Sequence, residues 1–76
     1  MVWHRLTVDG ETYFWTAYSS QHRSGDGPWQ PDEYLTVSRA PDIAGIARTF
    51  PVGTVLTEED AADLVRLSRA HGVEVP

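Results

Sequence analysis

Cysteine is absent from this chain of 76 residues, and so is lysine. Without cysteine there is no disulfide, no thiolate zinc site and no cysteine nucleophile. A chain this short builds one domain with a single modest core, and domains of that size often lean on disulfides or a metal. Here stability must come from packing, with self-association as the remaining aid. Long apolar runs are missing too. No stretch reaches membrane-spanning length, and the N-terminal MVWHRLTVDG lacks the apolar core of a signal peptide, so the expectation is a soluble, cytoplasmic protein.

The missing lysine leaves arginine as the only strong base, a bias that, with abundant Ala, Val, Gly and Asp, suggests a GC-rich genome. Net charge is −5. Residues 1–50 carry four Arg against six acids, and residues 51–76 carry two against five, so the balance is −2 and −3. An acidic chain is weakly drawn to phosphate backbones and anionic membranes. Neither a nucleic-acid nor a membrane partner is therefore expected.

What is present begins with aromatics. Thr12 to Tyr18 reads TYFWTAY, four aromatics in seven residues. Just before it, Asp9-Gly10 suits a two-residue type I′ hairpin turn, because both positions tolerate positive φ. Strands over residues 2–8 and 11–19 then pair antiparallel, with Val8 opposite Glu11. Alternation places Val2, His4, Leu6, Val8, Tyr13, Trp15 and Ala17 on one face, and Trp3, Arg5, Thr7, Thr12, Phe14, Thr16 and Tyr18 on the other. The first set is richer in aliphatics and is expected to face the core. The second is aromatic as well, which raises the question of what covers it.

Further along, QHRSGDGPWQPDE (residues 21–33) is punctuated by Gly and Pro and reads as a loop. Residues 34–40 alternate as a third strand. Residues 46–50 read as a fourth, with a short helical turn over Ile43–Thr49 as the competing reading. Thr57 stands as a helix N-cap, Asp60 occupies the capping-box position, and Leu56 with Ala61 is placed for a hydrophobic staple. Acids crowd the first turn and Arg66 and Arg69 lie toward the other end, as the helix dipole favours. A stripe of Ala61, Leu64, Val65 and Ser68 needs a surface to lie on, and Gly72 ends the helix after His71. The expected fold is α+β: a four-stranded antiparallel sheet in β-β-β-β-α order, with one C-terminal helix over residues 58–71 packed on one face.

Chemistry-bearing constellations are sparse. His4, His22 and His71 share no metal-ligand spacing, so no metal and no cofactor are expected. His22, Ser24 and Asp26 are triad residue types crowded into one loop, without the separate rigid supports or the nucleophile elbow that acyl transfer needs. The SGDG stretch opens no helix that would cradle a phosphate, and Asp26 and Asp32 lack the alternation of a calcium loop. Glu58, Glu59, Asp60 and Asp63 read as capping plus a solvated face.

The surface singled out is therefore Trp3, Arg5, Phe14, Tyr18 and Trp29. Trp29 and its flanking prolines could fold over the face as a lid, a second copy or another protein could cover it, or bases could stack on it. Arg39 and Arg48 are expected on the face of Leu35 and Val37, away from the aromatics, which disfavours the third reading. The sequence thus points to a non-catalytic accessory or regulatory module that binds a protein partner or itself. A single-stranded nucleic-acid platform is the first alternative and a small enzyme the second.

Overall fold

The protein is described by a computed structural model covering residues 2–76. Four strands, β1 (His4–Val8), β2 (Glu11–His22), β3 (Gln30–Ser38) and β4 (Ile46–Pro51), precede one helix, α1 (Glu58–Ala70). They form an antiparallel meander in the order β1-β2-β3-β4, and α1 lies across β1 and β3 on one face. Among the described residues no helix is long and apolar enough to cross a membrane.

The turn explains the register. Asp9 and Gly10 have φ of 50° and 81°, the paired positive values that a type I′ turn requires. Val8 consequently faces Glu11, and Leu6–Tyr13 and His4–Trp15 follow. The helix-facing positions close into a core of Leu6, Val8, Tyr13, Trp15, Leu35 and Val37 against Ala61, Leu64 and Val65, with Val75 of the C-terminal tail. Ile46, Phe50 and Leu56 pack around its margin. The helix begins where the capping box is expected: the Thr57 N–H donates to Asp60 Oδ2 at 2.8 Å and its hydroxyl to the same atom at 3.0 Å. It ends in a Schellman motif, with Gly72 (φ 72°) donating to Arg69 and Val73 to Ser68.

Several boundaries differ from the sequence reading. The first strand starts at His4, not Val2, and the third stops at Ser38. The long loop expected over residues 21–33 shrinks to residues 23–29, because β2 runs on to His22 and β3 starts at Gln30. Pro31 sits inside β3 opposite Gln21. It is tolerated there because β4 pairs with β3 only as far as Asp32, so at Pro31 the strand has no neighbour on its other side. This end of the hairpin has little apolar content. Ser19 Oγ donates to Glu33 at 2.7 Å, and His22 Nδ1 lies 2.8 Å from Asp32 Oδ2. Residues 46–51 form a strand rather than a helical turn. The helix ends at Ala70, one residue short of the expected boundary.

Candidate functional site

The face of the sheet away from α1 carries Arg5, Phe14, Thr16, Tyr18, Tyr34 and Thr36, as strand alternation demands. It is not uniformly wet. Thr16 is 2% exposed and Ser38 fully buried, which a bare outer face would not produce. Two segments of the chain itself supply the cover. Before β1, the Val2 carbonyl accepts from Thr16 Oγ1 at 2.7 Å, and the Trp3 indole N–H donates to Asp42 Oδ1 at 3.0 Å. From the other side, the connection between β3 and β4 folds inward, with the Ser38 hydroxyl donating to the Ala40 carbonyl at 2.6 Å. Asp42 takes a positive φ of 62° there, a conformation that Asp tolerates better than most residues.

This cover leaves a groove of about 290 Å³, lined by Trp3, Thr16, Tyr18, Thr36, Asp42 and Ile43. Its outer wall is a stacked pair. Tyr18 and Tyr34 are direct cross-strand partners, with ring centroids 5.4 Å apart and planes within 8°. Tyr18 is 39% and Ile43 46% exposed, so the groove offers both apolar surface and, at Asp42, a carboxylate.

The five residues singled out from the sequence do not form one patch. Trp3 and Tyr18 line the groove. Phe14 is half-buried further along β2, with the Arg5 guanidinium 5.9 Å from its ring centroid. Trp29 lies apart from all of them. It is 58% exposed and holds the Arg23 guanidinium 5.0 Å over its ring, at the hairpin tip beyond the His22–Gln30 pair. Eight residues of β2 separate His22 from Phe14, roughly 26 Å at the rise of an extended strand. Trp29 is therefore not the lid over the aromatic face; Trp3 and the β3–β4 connection are. Asp42 and Ile43, which line the groove, and Tyr34, which stacks on its Tyr18 wall, are residues the sequence reading missed. Only the β2–β3 register reveals Tyr34, and a 39-residue separation hides the Trp3–Asp42 contact.

No family model, curated protein or solved structure matches this chain.

A second polar constellation lies at the opposite end, on the helix side. Tyr13 is 1% exposed, yet its hydroxyl donates to Glu11 Oε2 at 3.1 Å and accepts from Arg69 Nη2 at 2.6 Å. Arg69 also binds Glu11 directly and reaches Asp9 Oδ2 at 2.8 Å. Arg39 stands 4.5 Å over the Tyr13 ring and 3.4 Å from Glu11 Oε1. A cavity of about 300 Å³ opens beside the cluster, walled by Gly72 to Val75. Each charge here already has a partner, so the cluster acts as a clamp joining the β1–β2 turn, the end of β3 and the end of α1.

Its electrostatics follow from those contacts. The Tyr13 hydroxyl first, then the Arg39 and Arg69 guanidinium groups, hold the Glu11 carboxyl below the usual carboxylate range despite a desolvation cost. The Tyr13 contact likewise raises Arg69 above its ordinary value. A depressed carboxyl adds stability that is complete above the unfolded-state carboxylate pKa and lost as pH falls through the lower folded-state value. The melting temperature of the parent is thus expected to fall more steeply in that acid range than that of Glu11→Gln, and parallel profiles would remove Glu11 from the clamp.

The remaining chemistry stays dispersed. Asp32, not Asp26, approaches His22, and Ser24 accepts the turn hydrogen bond from Gly27 through its carbonyl. No group of three or more metal-capable side chains occurs among the described residues. Arg48 pairs with the Phe50 ring at 5.1 Å and is opposite Leu35, on the helix side of the sheet. Arg66 lies on α1, 3.5 Å from Asp63. Of the six arginines, only Arg5 shares the face that carries Phe14 and Tyr18.

Proposed function

We propose that the chain is a non-catalytic binding module whose protein partner docks on the groove between Trp3, Tyr18 and Ile43, with Tyr34 stacked behind Tyr18. The observation that carries this reading is the Tyr18–Tyr34 stack, with Tyr18 exposed and Tyr34 half-buried, beside a groove already lined by Thr16 and Thr36. Tyr and Trp are the residue types that most often anchor interfaces, because they bring large area with little rotamer freedom to lose. The Asp42 carboxylate suits a partner that presents an apolar side chain flanked by hydrogen-bond donors. Fixing Trp3 and Asp42 to each other lowers the ordering cost on this side of the contact.

Stacking of nucleic-acid bases on the same rings is the competing reading. Three features weigh against it: net charge −5, a single arginine on the face, and engagement of Arg39 and Arg69 in the Tyr13 clamp. Few phosphates would then be neutralised and little counterion release would assist binding.

The test is affinity enrichment from the host lysate with the parent beside a Tyr18→Ser/Tyr34→Ser double variant. A specific protein retained by the parent and lost by the folded variant is the expected outcome. In parallel, labelled single-stranded oligonucleotides are titrated by fluorescence anisotropy. Binding near micromolar affinity that weakens steeply with salt would replace this proposal with the nucleic-acid one.

A further inference from the structure

The strongest unsatisfied surface outside the groove is the free edge of β1. The type I′ turn requires Val8 and Glu11 to share backbone hydrogen bonds, and alternation then assigns Leu6 and His4 to bonded pairs with β2. Arg5 and Thr7 fall at the intervening positions, so their N–H and C=O groups point away from β2. Among the described residues no strand lies there, because β1 is the outermost strand of the sheet. The edge carries no proline and no bulge, the usual devices that blunt such edges.

Beside this edge runs α1. Leu56 joins His4 and Trp15 in one shallow groove at the start of β1, and Arg69 reaches Asp9 at its end. Helix and strand therefore run in the same direction. Between them lies a cleft of about 440 Å³, where Leu6 and Thr7 meet Glu58, Ala62 and Arg66. Leu6 and Ala62 are buried, and the charged side chains stand around them. Neither Glu58 nor Glu59 has a salt-bridge partner among the described residues, and Arg66 has only its own-helix neighbour at 3.5 Å.

From this arrangement we infer that β1 and α1 form a self-complementary interface, and that the occupant of the edge is a second copy of the chain. A two-fold axis normal to the sheet reverses the partner strand and keeps both helices on the same side. With the axis at Leu6, Arg5 of each copy faces Thr7 of the other, and these are the residues whose backbone groups are free. The same axis passes Ala62. Glu58 and Arg66 lie four residues before and four after it, so each Glu58 meets the other copy's Arg66. Strand pairing and charge pairing thus demand one and the same symmetry. Ala62 leaves room at the centre, and the long Arg66 side chains span the two facing clefts. The product is a continuous sheet of two four-stranded halves with antiparallel helices on one face. The edge at β4 offers no equivalent, since α1 runs across β1 and β3 instead of alongside it.

The experiment is analytical ultracentrifugation of the whole chain, from low-micromolar to near-millimolar concentration, on the parent, Glu58→Arg, Arg66→Glu and the Glu58→Arg/Arg66→Glu double variant. Circular dichroism confirms that each is folded. The parent is expected to dimerise, each single variant to weaken the dimer by about tenfold through like-charge contacts, and the double variant to recover most of the loss. A parent that stays monomeric throughout overturns the inference. So does a dimer indifferent to these charges. The dimer is also expected to survive Tyr18→Ser, which separates this edge from the groove on the open face; a dimer lost in Tyr18→Ser and kept in Arg66→Glu would place self-association on the groove instead.

Discussion

Gly45→Ala is expected to cost about 3 kcal/mol, at the upper end of what overpacking usually costs. The reason is proximity and not backbone freedom, since Gly45 does not adopt positive φ. A Cβ at this position would lie 1.9 Å from the Val37 carbonyl oxygen, 2.7 Å from its carbonyl carbon and 2.8 Å from the Ser38 Cβ. Two of these three atoms are backbone of β3. That strand is bonded to β2 on one side and β4 on the other, with Val37 facing both Trp15 and Ile46, so it has no room to retreat. The connection before β4 must move outward instead. Asp42 would then release the Trp3 indole, and the cover over Thr16 would open. For a chain of this size such a loss lowers the melting temperature by roughly 12–24 °C, readable from a thermal melt. Gly53→Ala is the control. It meets nothing within 4 Å and bears only the strain of its φ of 86°, so about 1 kcal/mol is expected. If Gly45→Ala melts with the parent, the connection does not lie against Val37.

The positions that sequence reasoning reached and those it did not divide along a physical line. Asp9-Gly10 sets a turn by local conformational preference, and from that turn two strands, their register and both sheet faces follow. Thr57, Asp60 and Gly72 bound the helix by hydrogen bonds that span a few residues. The outer half of the β2–β3 hairpin escaped because the ladder there continues without hydrophobic alternation. Ser19, Ser20 and Gln21 face Glu33, Asp32 and Pro31, and Gly-Pro punctuation next to such residues reads as loop. A loop read over residues 21–33 hides the outer β2–β3 register, and with it the stacking of Tyr34 on Tyr18. The aromatic face was legible as a face, but its cover was not. Trp3 reaches Asp42 across 39 residues, a pairing that no periodicity encodes. Trp29, the aromatic nearest to a loop, looked like the natural lid, yet pairing continues to His22 and Gln30 and carries it to the far tip. The clamp around Tyr13 was hidden in the same way, since Arg69 stands 56 residues from the hydroxyl it binds.

That clamp yields the other large effect. Tyr13→Ala is expected to cost about 3–5 kcal/mol. A chain of this size holds roughly 4–11 kcal/mol in total, so the variant should be largely unfolded in mild urea. Two contributions combine. The ring is a core residue, 1% exposed and clustered with Leu6 and Val8, and its removal leaves a cavity under α1 where β2 packs. The hydroxyl is the shared atom of the clamp, and without it Arg69 and Glu11 keep only each other and their outer partners, Asp9 and Arg39. Tyr13→Phe separates the two. It keeps the volume and the Arg39 stack and removes only the hydrogen bonds, for about 1–2 kcal/mol. It should also raise the Glu11 carboxyl toward its ordinary value, because the Tyr13 hydrogen bond is the largest of the influences that lower it. The steep acid dependence of the parent is therefore expected to flatten in Tyr13→Phe as it does in Glu11→Gln. Urea melts at neutral pH give the size of each contribution, and repeating them across the acid range checks the link. Equal costs for Phe and Ala would mean that the hydroxyl, and not the packed ring, holds this end of β2 to the helix.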